Sequence, residues 1–190
     1  MMGAVHTKQE NITEKGDYMG VFTGNPKKEP MHYGEVFAIW GYLLAEKSMI
    51  PMYQTLINHT GDKDLKDLLE EAIVIGKEQE KEIEKLLKKN GVALPPAPPE
   101  RPEANLEDIP AGARIMDQEI ASMVSMNTAK GLVACSAIMG ESHREDIGLM
   151  FGKFHTDKAQ FGLKALRLNK QKGWIISPPL HVQTPKDTDD

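Results

Sequence analysis

The sequence predicts an all-α fold: a four-helix bundle in which two antiparallel helical hairpins are joined by a long proline-rich crossover. Three observations carry this expectation. Apolar residues recur at steps of three and four in four separate stretches, the period of helices that meet their neighbours along one stripe. Two of the breaks between these stretches are only a few residues long, and short connections make consecutive helices antiparallel. The third break, VALPPAPPERPEANLEDIPAG, carries prolines at 95, 96, 98, 99, 102 and 110. Such a backbone extends about 3.1 Å per residue, so about twenty residues reach roughly 60 Å, against roughly 40 Å for a helix of about 27 residues. The tract can therefore cross the whole bundle.

Composition narrows the class. With 190 residues and 40% hydrophobic content, the chain suffices for one domain with a substantial core plus tails. No apolar run approaches bilayer-spanning length, and the first thirty residues carry charges where a signal peptide needs an apolar stretch. The expectation is a soluble cytoplasmic protein with no membrane partner. A formal net charge of −5, with lysines interleaved among acids, gives no nucleic-acid footprint. The single cysteine, Cys135, excludes an internal disulfide framework and a cysteine-rich zinc site. Within Leu132-Val133-Ala134-Cys135 it reads as a small buried hydrophobe.

Residues 1–30 lack helical or strand periodicity and are expected to form a mobile N-terminal arm, with Tyr18, Val21 and Phe22 able to dock on the body. The bundle itself is expected over 31–175, beginning with a helix over about 32–58. Its inward seam is Ile39, Leu43, Glu46, Ile50, Tyr53 and Ile57. Glu46 is the odd member, since a carboxylate in an apolar seam must be paired, hydrated, protonated or metal-bound. The second helix, about 63–90, turns Leu65, Leu69, Ala72, Gly76, Gln79, Ile83 and Leu86 inward. Its run of Glu and Lys reads as a solvated outer face, and Gly91 suits the left-handed position after the last turn. After the crossover, 91–112, a third helix over about 113–139 has the small seam Ile120, Val124, Asn127, Gly131, Ala134 and Ile138. Ser142 with Glu145 forms a capping-box pattern for a fourth helix over about 143–172. That helix turns Ile147, Met150, Phe154, Phe161, Ala165 and Leu168 inward and ends at Gly173. A C-terminal tail follows over 176–190, and the apolar stretch WIISPPL that leads into it is expected to lie along the bundle.

Two clusters could carry chemistry. Measured from the two turns, Glu46, Gln79, Asn127 and either His155 or Asp157 fall near mid-helix and could share one polar layer. Two tight hairpins linked by a full-length crossover give a ferritin-like topology, and ferritin-like metal proteins place iron or manganese at that level. A di-metal site there takes two Glu and two Glu-x-x-His motifs; the second and fourth helices contain no Glu-x-x-His, so a hydrogen-bonded layer that fixes register is the favoured reading. The second cluster pairs His32 and Glu35 with His143 and Asp146, each pair one turn apart at a helix start. A full-length crossover brings those starts to one end, offering two histidines and two carboxylates to an ion such as Zn or Ni. Nucleophilic catalysis finds no Gly-x-Ser-x-Gly elbow and no phosphate-cradling glycine loop.

The stretches GEVFAIWGYLLAEKSMIPMYQTLINHTGDKDLKDLL, GVALPPAPPERPEAN, GLVACSAIMGESHREDIGLMFGKFH and KGWIISPPLH together resemble a family of uncharacterised proteins from endospore-forming bacteria, a domain of unknown function often labelled spore-coat-like. The resemblance spans about Met31 to His181 and implies a ferritin-like four-helix bundle, with no activity or catalytic residues attached. The reading that follows is a non-enzymatic structural or interaction protein associated with sporulation or the spore coat. It is expected to self-associate as a dimer through adaptable methionine-rich surface and to contact spore-coat proteins, with no resident cofactor. The alternative is a ferritin-like metal-binding protein or oxidase, built on Glu46, His155 and Asp157 or on His32, Glu35, His143 and Asp146.

Overall fold

The computed structural model describes residues 29–179 and 181. The expected arm up to residue 28, with Tyr18, Val21 and Phe22, and the end of the tail lie outside the described residues. Among the described residues there are four α-helices and no strand: α1 Tyr33–Asn58, α2 Lys63–Lys89, α3 Asp117–Glu141 and α4 Glu145–Lys172. Helices α1 and α2 agree with the sequence reading to within a residue. Helix α3 starts later than expected, because Arg114 and Ile115 follow a short 3-10 turn at Ala111–Ala113 in extended conformation. Its start is fixed by Glu119, whose Oε2 accepts the Met116 N–H at 2.8 Å.

The core is divided. At one end Ile39, Leu43, Ile83, Leu87, Phe151 and Phe154 are buried together, and at the other Tyr53, Leu56, Leu65, Leu69, Ile120, Val124 and Phe161. Tyr42, Phe151 and Phe154 meet edge to face at ring separations of 5.2 and 5.3 Å, the geometry favoured by aromatic quadrupoles. The seam of α2 is buried as its period predicts, apart from half-buried Ala72. In α1, Leu56 takes the place expected for Ile57, and Lys47 is buried as well. Its stem lies against α2, and its ammonium reaches Glu84 at 2.7 Å and Glu80 at 3.6 Å.

Turns and termini tie the hairpins together. Asp62 caps α2 by accepting the Leu65 N–H at 3.0 Å, and its other oxygen meets Lys172 Nζ, from the last turn of α4, at 2.8 Å. His59 Nδ1 accepts the Ile115 N–H at 3.1 Å and anchors the approach to α3. Gly173 stands at φ +71°, and the Trp174 N–H reaches back to the Asn169 carbonyl at 2.9 Å, closing α4 in the left-handed manner that glycine permits. The Ser142–Glu145 capping box does not form. Instead the Ser142 hydroxyl donates to the Ile138 carbonyl at 2.6 Å, and Arg144 occupies the cap position.

These pairings set a pH dependence. The Lys172 ammonium holds the Asp62 carboxyl below the ordinary carboxylate range, and Lys47 does the same for Glu84. A carboxyl whose folded pKa is depressed contributes stability above its unfolded value, near 4, and that contribution is lost as pH falls toward the folded value. The urea midpoint should therefore be level above about pH 5 and fall through about pH 4 to 3. Lys172→Met should lower the plateau and flatten part of that fall; an unchanged slope would show that Asp62 is not a contributor.

Candidate functional site

At the end where α1 and α4 begin, the four residues singled out from sequence lie near one another, and the side chains of three of them, His32, Glu35 and Asp146, are already engaged. His32 caps α1: its Nδ1 accepts the N–H groups of Gly34 and Glu35 at 3.0 and 3.2 Å. An imidazole that accepts twice at Nδ1 carries its proton on Nε2, and a protonated nitrogen cannot ligate a metal. That Nε2 is buried without a hydrogen-bond partner, and the ring lies 4.8 Å from His143, tilted by 56°. Buried Glu35 completes the α1 capping box by accepting the His32 N–H at 3.1 Å. Its second oxygen accepts the His143 and Arg144 N–H groups at 2.9 and 3.0 Å. Glu35 thus satisfies orphan donors at the starts of two helices, one of them in the other hairpin. Arg144, buried and overlooked in the sequence, binds Asp146 through two nitrogens at 3.1 and 2.8 Å and Asn90 Oδ1 at 2.9 Å.

The second candidate is the polar layer between the two core clusters. Glu46 is paired with Lys158 from α4, Oε1 to Nζ 2.9 Å, with side-chain exposures of only 12% and 14%. The stem of Lys158 passes directly over Gly131, where a Cβ would stand 2.8 Å from its Cδ. Gly131 therefore makes room for the lysine, beyond any general allowance for close helices. The ammonium lies 5.6 Å from the centre of the Tyr42 ring. Tyr42 donates its hydroxyl to Gln79 Oε1 at 3.0 Å and accepts from the Cys135 thiol at 3.5 Å.

Burial, reinforced by the charge on Glu46, pushes the Tyr42 phenol far above its ordinary range. Tyr53 is pushed up to about 12, first by burial and then by Glu46, with an Asn127 hydrogen bond pulling the other way. Burial also raises the Cys135 thiol. At neutral pH these groups are a pair of phenols and a protonated thiol, so the layer offers no ready nucleophile. Beside them is a cavity of about 50 Å³ lined by Glu46, Met49, Tyr53, Asn127, Lys158 and Phe161 among others, room for a few waters.

Glu46 and Asn127 thus line one cavity, and Gln79 joins them through Tyr42. Asp157 instead lies in the α2–α4 groove with Glu78, Glu82 and Lys153, and half-buried His155 lines neither that groove nor the cavity beside Glu46. Among the described residues no three His, Cys, Asp or Glu side chains converge to hold a metal ion. The residues of neither cluster, as arranged, fit iron, manganese, zinc or nickel: an ammonium occupies the Glu46 carboxylate, and amide and guanidinium donors occupy Glu35 and Asp146.

Comparison with known proteins places this geometry among uncharacterised relatives. A family model described as a protein of unknown function, DUF3231, matches residues 19–186. The chain is 55% identical over 165 residues to "Uncharacterized protein YvdQ" of Bacillus subtilis (strain 168), covering 87% of this chain and 97% of that one. It is 57% identical to a Bacillus halodurans C-125 protein of known crystal structure, provisionally named a spore coat protein. That match has a TM-score of 0.82 and covers 83% of this chain and 99% of the other. A conserved hypothetical protein from Mycobacterium tuberculosis, 14% identical with a TM-score of 0.57 over 77% of this chain and 96% of its own, shares the fold alone.

Removing one member of the Glu46–Lys158 pair leaves an uncompensated charge in the layer, so Lys158→Met should cost about 3–5 kcal/mol in urea unfolding. Glu46→Gln combined with Lys158→Met should recover most of that loss. A Lys158→Met loss under about 1 kcal/mol would mean that water, and not the lysine, satisfies Glu46.

Proposed function

We infer a function from one premise: the chain belongs to the family described as a protein of unknown function, DUF3231. The function we propose is that of a non-enzymatic structural or interaction protein of ferritin-like architecture, self-associating and connected with the spore coat. The architectural part is supported by the tract between α2 and α3, which is fastened along α1. The Trp40 indole donates to the Ala93 carbonyl at 2.9 Å, Gln54 accepts the Arg101 N–H at 2.8 Å, and Asn58 accepts the Ala104 N–H at 3.1 Å. That order along α1 is what a crossover running the length of the bundle requires. The spore-coat part leans on the naming of the Bacillus halodurans relative.

One observation carries the self-associating part. Helix α3 is apolar on its outer side as well as its inner one, with Val133 70% and Met126 56% exposed. Neighbouring helices add Phe37 at 80% and Leu149 at 66%. Between Ile120 and Gly140 the only charge is Lys130. A helix whose outer side exposes residues as large and apolar as Val133 and Met126 is a helix that something covers. The polar layer, with Glu46, Lys158 and Tyr42 engaged in internal pairing, offers nothing comparable toward chemistry, so no observation favours the metal-binding or oxidase alternative. No helix among the described residues is long and apolar enough to cross a membrane.

Light scattering coupled to size exclusion on the full chain, at tens of micromolar, should give a dimer or larger species. A strictly monomeric chain at that concentration would remove the basis of this reading.

A further inference from the structure

We propose that two copies of this chain associate through the outer face of α3, the two α3 helices running antiparallel about a two-fold axis near Ser136. The proposal rests on the self-association just argued and specifies its contact.

The outer stripe of α3 is Met126, Lys130, Val133, Ala137 and Glu141, repeating at steps of four, three, four and four, all of them exposed. Its charges are confined to the two residues Lys130 and Glu141, opposite in sign and separated by ten uncharged residues, about 16 Å along a helix. In an antiparallel pair centred between them, each lysine stands opposite the partner's glutamate, and the apolar stretch of one copy covers that of the other. A parallel pair would set lysine against lysine and glutamate against glutamate. Charge complementarity therefore selects the antiparallel, self-complementary arrangement that a two-fold dimer needs.

Two further observations point the same way. Lys153, Lys158 and Lys164 on α4 are each paired within the chain, with Glu82, Glu46 and Glu71. Among the described residues Lys130 and Glu141 have no such partner, so both remain available to a neighbour. The other observation is Gly140. Glycine inside a helix is unfavourable relative to alanine, yet a Cβ at Gly140 would meet nothing within 4 Å. Packing within the chain gives no reason for it. With Ala129 and Ala137 exposed on the same helix, a bare backbone there lets a second helix approach closely.

The test is sedimentation equilibrium on the full chain and three surface variants, Lys130→Glu, Glu141→Lys and the double exchange, with circular dichroism to confirm helicity. Each single exchange turns two attractive contacts per dimer into two repulsive ones and should weaken association by about tenfold or more. The double exchange restores opposite signs and should return the constant to within about threefold of the parent. If the parent dimerises and all three variants match it, the contact lies elsewhere: this inference falls and the self-association reading stands. If both single exchanges weaken the dimer and the double does not rescue it, the antiparallel pairing is wrong. A monomeric parent overturns both.

Discussion

The middle of the bundle depends on the ion pair between Glu46 and Lys158. A carboxylate drawn into an apolar seam needs a compensating charge or donors, and here α4 supplies an ammonium at 2.9 Å. That choice fixes other residues around it. Gly131 must lack a side chain so that the lysine stem can pass, and the negative field of Glu46 helps keep both nearby phenols protonated. The layer separates two apolar clusters, so sliding either hairpin by a turn would break the pair while mismatching both cores. Buried polar groups of this kind serve register and specificity more than raw stability.

The two ends of the bundle use the same device in another form. At one end Glu35 serves as an internal residue of the α1 capping box and as the acceptor for amides at the start of α4. At the other, Asp62 caps α2 and binds the last turn of α4 through Lys172. In each case one side chain answers a local requirement, a helix start with unpaired N–H groups, and a tertiary one, the position of the other hairpin. The polar residues that stand out in the sequence are thereby absorbed into architecture. What remains unabsorbed is on the surface: an α3 whose outer side carries methionine, valine, alanine and glycine.

Much of this was legible in the chain. The period of three and four located the helices, and Leu65, Leu69, Gly76, Gln79 and Ile83 are buried where that period places them. Gly91 stands at φ +72°, in the left-handed region that its place after α2 suggested. Glu46 was visible as a break in its seam. Its partner was not identified, although Lys158 sits at the gap between Phe154 and Phe161 in the α4 seam, four residues after one and three before the other. Height along a helix, which brought His155 and Asp157 to notice, says nothing about face; at 100° per residue, neighbours in sequence point in different directions. The capping box read at Ser142 and Glu145 failed for a different reason. The amides of His143 and Arg144, just ahead of α4, are taken by Glu35, 108 and 109 residues away, and no local rule sees such a competitor. Conversely, the spacing of His32 and Glu35, read as a ligand pair, was also that of a cap and its third helical residue.

The central claim is that the chain's own cations, Lys158 in the layer and Arg144 at the end, engage the carboxylates Glu46 and Asp146 that a metal ion would need. The most direct measurement is elemental analysis by mass spectrometry of untagged protein purified without chelator. The account predicts iron, manganese, zinc and nickel all well below one equivalent per chain. One or two equivalents, lost on Glu46→Ala or on His143→Ala, would contradict it.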